Sequence, residues 1–206
     1  MGEKKPRNPF YKSWGFWAIL VVLGFLANQG EKSGGSGPAV AQQAKSAQPA
    51  PVIPETQQKF LEVVASAQKE ARGAANDMQR GGIKAARDQQ LCAVMKSRTV
   101  TGWIGRVKLV DANSDGKGVF SVELAEDVRV KTWNNAFSDM SEKTMFEPGS
   151  AIFNTAAGLK KGQLIRFSGT FFRGTEGDCL REASLTLSGK VQDPEFIMRF
   201  SSIEPL

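Results

Sequence analysis

Residues 14–27 read WGFWAILVVLGFLA, an uncharged run without proline. Ahead of it stand Lys4, Lys5, Arg7 and Lys12 against one acid, Glu3. Positive charge on one flank of an apolar run marks an export signal or membrane anchor whose N-terminus stays in the cytoplasm. No other feature constrains the chain as strongly. It withdraws the first segment from any water-soluble core and sends the remainder across a lipid barrier. The run has 14 residues, about 21 Å as a helix against a ~30 Å hydrocarbon core. Extension back to Phe10 lengthens it, with Lys12 snorkelling and Tyr11, Trp14 and Trp17 suited to the interfacial belt. Signal cleavage needs small residues one and three positions before the cut, and Phe25 spoils the match that Ala27 would complete. Ala39-Val40-Ala41, after Pro38, does fit but lies far downstream. The expectation is a cytoplasmic stretch 1–13 and a retained signal-anchor 14–27 in a bacterial inner membrane. The alternative is a secreted form cut near Ala41.

Residues 28–53 are rich in Gly, Ser, Ala, Gln and Pro and read as a disordered tether. A helical segment follows over 54–97. Pro54 suits the first helical turn, and Phe60, Val63, Val64, Ala67, Ala71, Ala74 and Met78 recur at offsets of three and four. Gly81-Gly82 is expected to break the helix, at about 1 kcal/mol per glycine. A second stretch carries Ile83, Ala86, Leu91 and Val94 on its apolar side. The stripe is expected to pack on the next domain; a seam for self-association is the other use.

From Val100 the period changes to that of strands. Strands are expected over 100–110, 118–124, 128–133, 163–172, 180–187 and 196–203, with a short helix within 150–159. The fold class is therefore mainly β with an N-terminal helical extension. The order β-β-β-α-β-β plus a final strand is that of an OB-like small Greek-key barrel over 98–206. In TGWIGRV, Gly102 and Gly105 suit a long coiled first strand that serves both sides of a barrel. LKKGQLIRFSGTF resembles the turn, glycine, strand, glycine entry into the fourth strand of many such barrels. Together these features resemble the membrane-tethered bacterial families with an OB-like exported domain, and the resemblance is architectural.

The net charge of +6 invites a nucleic-acid reading, but its distribution argues against one. Residues 99–206 carry thirteen basic and fourteen acidic side chains, so the barrel lacks the basic groove that phosphate binding demands. The chain has no histidine, which removes the commonest general base and zinc ligand. Its two cysteines, Cys92 and Cys179, are too far apart for a C-x-x-C site. In an exported protein they are expected to form a disulfide tying the helical segment to the barrel.

DANSDG begins like a calcium loop, with Asp111, Asn113 and Asp115 at its first, third and fifth positions. The twelfth position holds Val122 instead of an acid, so a hairpin turn is expected and no metal. No cofactor is expected. Among the aromatics, Trp103, Phe120, Phe167 and Phe171 are expected mostly in the core. Trp133 is the exception, beside the polar loop 134–144. Trp133, Asn134, Asn135 and Asp139 are the candidate recognition patch, with Arg106, Lys131, Arg166 and Arg173 along the same groove. The functional expectation is a non-catalytic binding or assembly module for another envelope protein or envelope ligand. A single-stranded nucleic-acid binder is the alternative.

Overall fold

The computed structural model describes residues 51–206 except Glu176. The stretch 1–13, the run 14–27, Ala39–Ala41 and most of the tether 28–53 lie outside the described residues. Among the described residues, no helix is long and apolar enough to cross a membrane.

The helical segment forms α1 (Glu55–Arg72) and α2 (Asp77–Val94). Five strands follow: β1 (Thr99–Ala112), β2 (Gly118–Ala125), β3 (Val128–Lys131), β4 (Leu164–Phe171) and β5 (Glu195–Pro205). Between β3 and β4 lie α3 (Ala136–Asp139) and α4 (Ala151–Ala157); α5 (Leu187–Gln192) precedes β5. The strands close into a barrel in the order β1-β2-β3-β5-β4. β3 and β5 are parallel and every other pair is antiparallel. This is the OB-like arrangement expected from the order of elements.

Barrel closure requires β1 to pair with β2 along one part of its length and β4 along another. Glycine makes this possible. Gly102 takes φ 69° where the β1–β4 register shifts between Val100 and Trp103. At Gly105, an added Cβ would sit 2.8 Å from the Glu123 carbonyl oxygen, so β1 and β2 approach there as only glycine allows. Beyond that point β1 outruns β2, and α1 takes over. The Gln57 amide donates to the Ile104 carbonyl at 2.6 Å and accepts from the Ile104 N–H at 2.9 Å, filling a place in the ladder.

The interior holds two aromatic groups. Phe60 of α1 packs among Trp103, Phe171 and Phe196, with ring centroids 5.1–5.9 Å away. Phe120, Phe146, Phe167 and Phe200 form the second group, which α4 helps to cover through Ala156 and Phe153. The helical stripe thus packs on the barrel. Phe60, Val64 and Leu91 join its core, while Met78 is 89 % exposed.

Two expectations are corrected. Gly81-Gly82 does not break the helix, because α2 runs through both. The break falls at 73–76, where Asn76 caps the new helix by accepting from the Gln79 N–H. The segment 180–187 is not a barrel strand. Only its first residues bridge neighbouring backbone, Leu180 to Arg173 and Glu182 to Phe196. Thr186 then caps α5 by accepting from the Gly189 N–H, which ends the extended run. The segment expected as an extra sixth strand, 196–203, is instead the fifth strand of the barrel.

Cys92 of α2 and Cys179 of the β4–β5 connection form a disulfide with Cα atoms 5.4 Å apart. Two predictions follow from this architecture. Gly105→Ala should destabilise the protein by about 1–3 kcal/mol through overpacking, read as a lower urea midpoint at unchanged slope. Cys92→Ser with Cys179→Ser should cost about 4–5 kcal/mol for a loop of 87 residues, and reductant should reproduce the loss in the wild type alone.

Candidate functional site

The β3–α4 loop and the β4–β5 connection meet over the outer face of β5. Arg199, exposed on that strand, donates to the Glu142 carbonyl at 3.0 Å and stands 5.2 Å from the Phe172 ring centre. Glu142 extends the junction. Its carboxylate accepts from the Trp133 indole N–H at 2.6 Å and lies 3.2 Å from Arg181 Nε. The Arg181 contact is an ion pair that falls outside hydrogen-bond geometry.

Beside this junction lies a cavity of about 260 Å³ lined by residues that include Trp133, Asp178, Arg181, Glu182, Leu185 and Lys190. Its floor belongs to an ionic network that fastens the β4–β5 connection to α2. Arg87, with no side-chain exposure, is ion-paired to Glu182 and reaches Asp88 at 2.9 Å. Lys84 is ion-paired to Asp178 and lies 2.7 Å from Asp88, while Lys190 reaches Asp178 at 3.1 Å. Arg87 also donates to the Lys190 carbonyl and sits 5.7 Å from the Phe196 ring centre, joining the network to the core.

Burial pushes the Glu182 carboxyl up to about 7, with Arg87 pulling the other way. Its Oε2 is buried without a partner. Asp178 behaves oppositely. Burial raises it, but hydrogen bonds and charge from Lys84 and Lys190 outweigh that effect and hold it below the usual carboxylate range. At Lys84, burial acts downward, and Asp178 with Asp88 outweighs it to raise the amine.

Only part of the expected patch belongs to this cavity. Trp133 lines it, half-buried, two residues beyond β3. Asn134 and Asn135 are exposed on the adjoining loop, where Asn135 caps α3 through the Ser138 N–H. Asp139 is buried and structural. Its carboxylate accepts from Thr144 N–H and O–H and from Met145 N–H, which fixes the loop and leaves it facing inward.

The four cations are not all together: Arg106 and Arg166 stand near each other on the paired strands β1 and β4, while Lys131 and Arg173 lie elsewhere. Arg106 on β1 donates to the Gly162 carbonyl, and Arg166 on β4 lies 3.7 Å from Glu204. Lys131 on β3 reaches Glu195 at 3.2 Å. Arg173 lines a separate cavity of about 330 Å³ with Lys96, Arg98 and the disulfide. The segment around Asp111, Asn113 and Asp115 is a hairpin turn: Asn113 Oδ1 accepts from the Asp115 and Lys117 N–H groups, and Gly116 has φ 78°. Small residues Gly73, Ala74, Gly82 and Ala86 line a groove of about 790 Å³ between α1 and α2.

Glu142, Arg181 and Glu182 went unnoticed in the sequence. The one available signal was Glu182 within LREASLTL, where an acid shares a strand face with Leu180. Neither a protein-family model nor a curated protein sequence matches this chain.

The titration of Glu182 has a defined sign. A folded carboxyl held above its ordinary range contributes stability that is fully present below about 4.5 and is lost as pH rises through about 7. The chain has no histidine to obscure that window. The wild-type urea midpoint should therefore fall between pH 5 and pH 8, and Glu182→Gln should flatten that slope.

Proposed function

We propose that this chain is a membrane-anchored bacterial envelope protein whose OB-like domain is exported and serves as a non-catalytic binding or assembly module. The carrying observation is the bridge between Cys92 and Cys179, because structural disulfides belong to oxidising compartments outside the cytoplasm. The one-sided basic flank of residues 14–27 agrees with that placement. The contact surface in this reading is the junction over β5. Phe137, Met140 and Leu185 expose 84 %, 68 % and 98 % of their surface on the two segments that meet there, and exposed large apolar side chains suit a contact surface.

A carboxylate-based enzyme is the second reading, favoured by the high pKa of Glu182 beside a cavity. Among the described residues, the acids nearest Glu182 are engaged: both Asp178 oxygens are taken by lysines, and Glu142 holds Trp133. Burial of a carboxyl within a structural ion-pair network perturbs its pKa without any catalytic role.

A reporter active only outside the cytoplasm, fused after Leu206, tests the placement; activity is expected, and a cytosolic reporter overturns it. A photo-cross-linker at Phe137 or Leu185, in intact membranes, should capture an envelope component that a cross-linker at Lys108 does not. Equal capture at all three positions would remove the contact surface from this reading.

A further inference from the structure

We infer that the cavity beside the Cys92–Cys179 bridge is a site for one phosphate group, supplied by an anionic phospholipid headgroup of the membrane that holds the chain. The source rests on the envelope reading above; the phosphate chemistry rests on the site alone. The cavity, about 330 Å³, is lined by Lys96, Arg98 and Arg173 together with both cysteines. Two long-range contacts gather these cations. The Phe171 N–H donates to the Arg98 carbonyl, which carries the β1–β4 ladder one residue past the Thr99–Thr170 pair and sets 96–98 beside Arg173. The disulfide fastens the end of α2 to Cys179 and closes the other wall. All three cations are exposed, so a ligand reaches them without any opening of the fold.

The charge around this cavity is positive after every neighbour is counted. Its one described acid, Asp178, is ion-paired to Lys84 and Lys190, while Lys96, Arg98 and Arg173 form no ion pair among the described residues. Those five cations face three acids: Asp88, Asp178 and Glu176, the last by its place in the sequence. Arg87 and Glu182 cancel each other. The C-terminus of α2 adds about half a negative charge, too little to remove the excess. Residues 99–206 are close to neutral as a whole, so the excess is local. A local excess suits one phosphate, whereas a nucleic acid needs a basic track. Two guanidinium forks and an ammonium offer more donors than a carboxylate accepts, and phosphate oxygens accept them from more directions. The place agrees with a headgroup. The short break at 73–76 makes α1 and α2 antiparallel neighbours. The chain from residues 14–27 therefore joins the domain at the end of the helix pair where α2 stops and the cavity lies. An anchor in the same chain makes the encounter intramolecular, so a weak site suffices.

The test is amine labelling of the full chain reconstituted in vesicles. Lys96 is the reporter and Lys161, exposed on the turn before β4, is the control. The vesicles are phosphatidylcholine alone, or phosphatidylcholine with phosphatidylglycerol. Two further samples add inorganic phosphate or a single-stranded oligonucleotide to the neutral vesicles at matched ionic strength. Phosphatidylglycerol is expected to slow labelling of Lys96 about fivefold or more and to leave Lys161 unchanged. In Arg98→Gln with Arg173→Gln, the phosphatidylglycerol needed for half-protection should rise about fivefold for each cation removed. Matched urea midpoints show that the variant folds. Equal labelling of Lys96 in every sample overturns the inference, as does protection that survives the double variant. Protection by inorganic phosphate alone overturns the lipid source, and protection by the oligonucleotide alone assigns the patch to nucleic acid and overturns the site. Flotation with neutral vesicles reports the anchor separately. Flotation without protection of Lys96 rejects the site and keeps the envelope reading; protection by phosphatidylglycerol without flotation on neutral vesicles does the reverse.

Discussion

The barrel closes because β1 pairs on two sides, and the second half of the structure hangs on that closure. A straight strand cannot serve β2 and β4 in succession at small radius. Gly102 allows a left-handed turn of the backbone, and Gly105 allows β2 to come within a distance that any Cβ would forbid. Where β2 ends, the side-chain amide of Gln57 replaces it on Ile104. That substitution draws α1 onto the barrel, so that Phe60 enters between Trp103, Phe171 and Phe196. The helical segment is therefore part of the core.

Docking α1 also positions α2, and α2 organises the long β4–β5 connection. Arg87 and Lys84 reach Glu182 and Asp178, and the disulfide fixes Cys179 nearby. Buried ion pairs of this kind contribute little net stability, since desolvation offsets most of the attraction. Their larger effect here is on geometry. They hold an otherwise irregular segment against β5, where Arg199 and Glu142 join it to the preceding loop. The cavity beside Trp133 exists because of that junction. Its raised Glu182 carboxyl follows from the same burial.

Much of the architecture was legible because its causes are local. Strand periodicity marked all five barrel strands within a few residues, and the Ser150-capped helix ended at Gly158 as its sequence suggests. The stripe from Phe60 to Ala71 pointed to a helix that packs. LREASLTL misled, since its alternation resembles a strand while Thr186 caps a helix. Gly81-Gly82 misled for the opposite reason: Asn76 starts the helix firmly, and Leu91 anchors it farther on. Trp133 was identifiable as an aromatic beside a polar loop. Asp139 was not identifiable as a structural acid, because its three donors come from Thr144 and Met145 in a fold of the loop that composition does not reveal.

The sequence by itself determined the change from helical to strand periodicity, the positions where glycine must stand, and the neutrality of the barrel's charge. These depend on residue type and short spacing, which are the same in any conformation. Tertiary structure alone decided that Arg87 meets Glu182 across 95 residues and that Glu142 joins Trp133, Arg181 and Arg199. It also decided which polar atoms lose water without gaining a partner. Those outcomes depend on long-range packing, because desolvation and charge pairing are properties of a place in the fold and not of a residue in the chain.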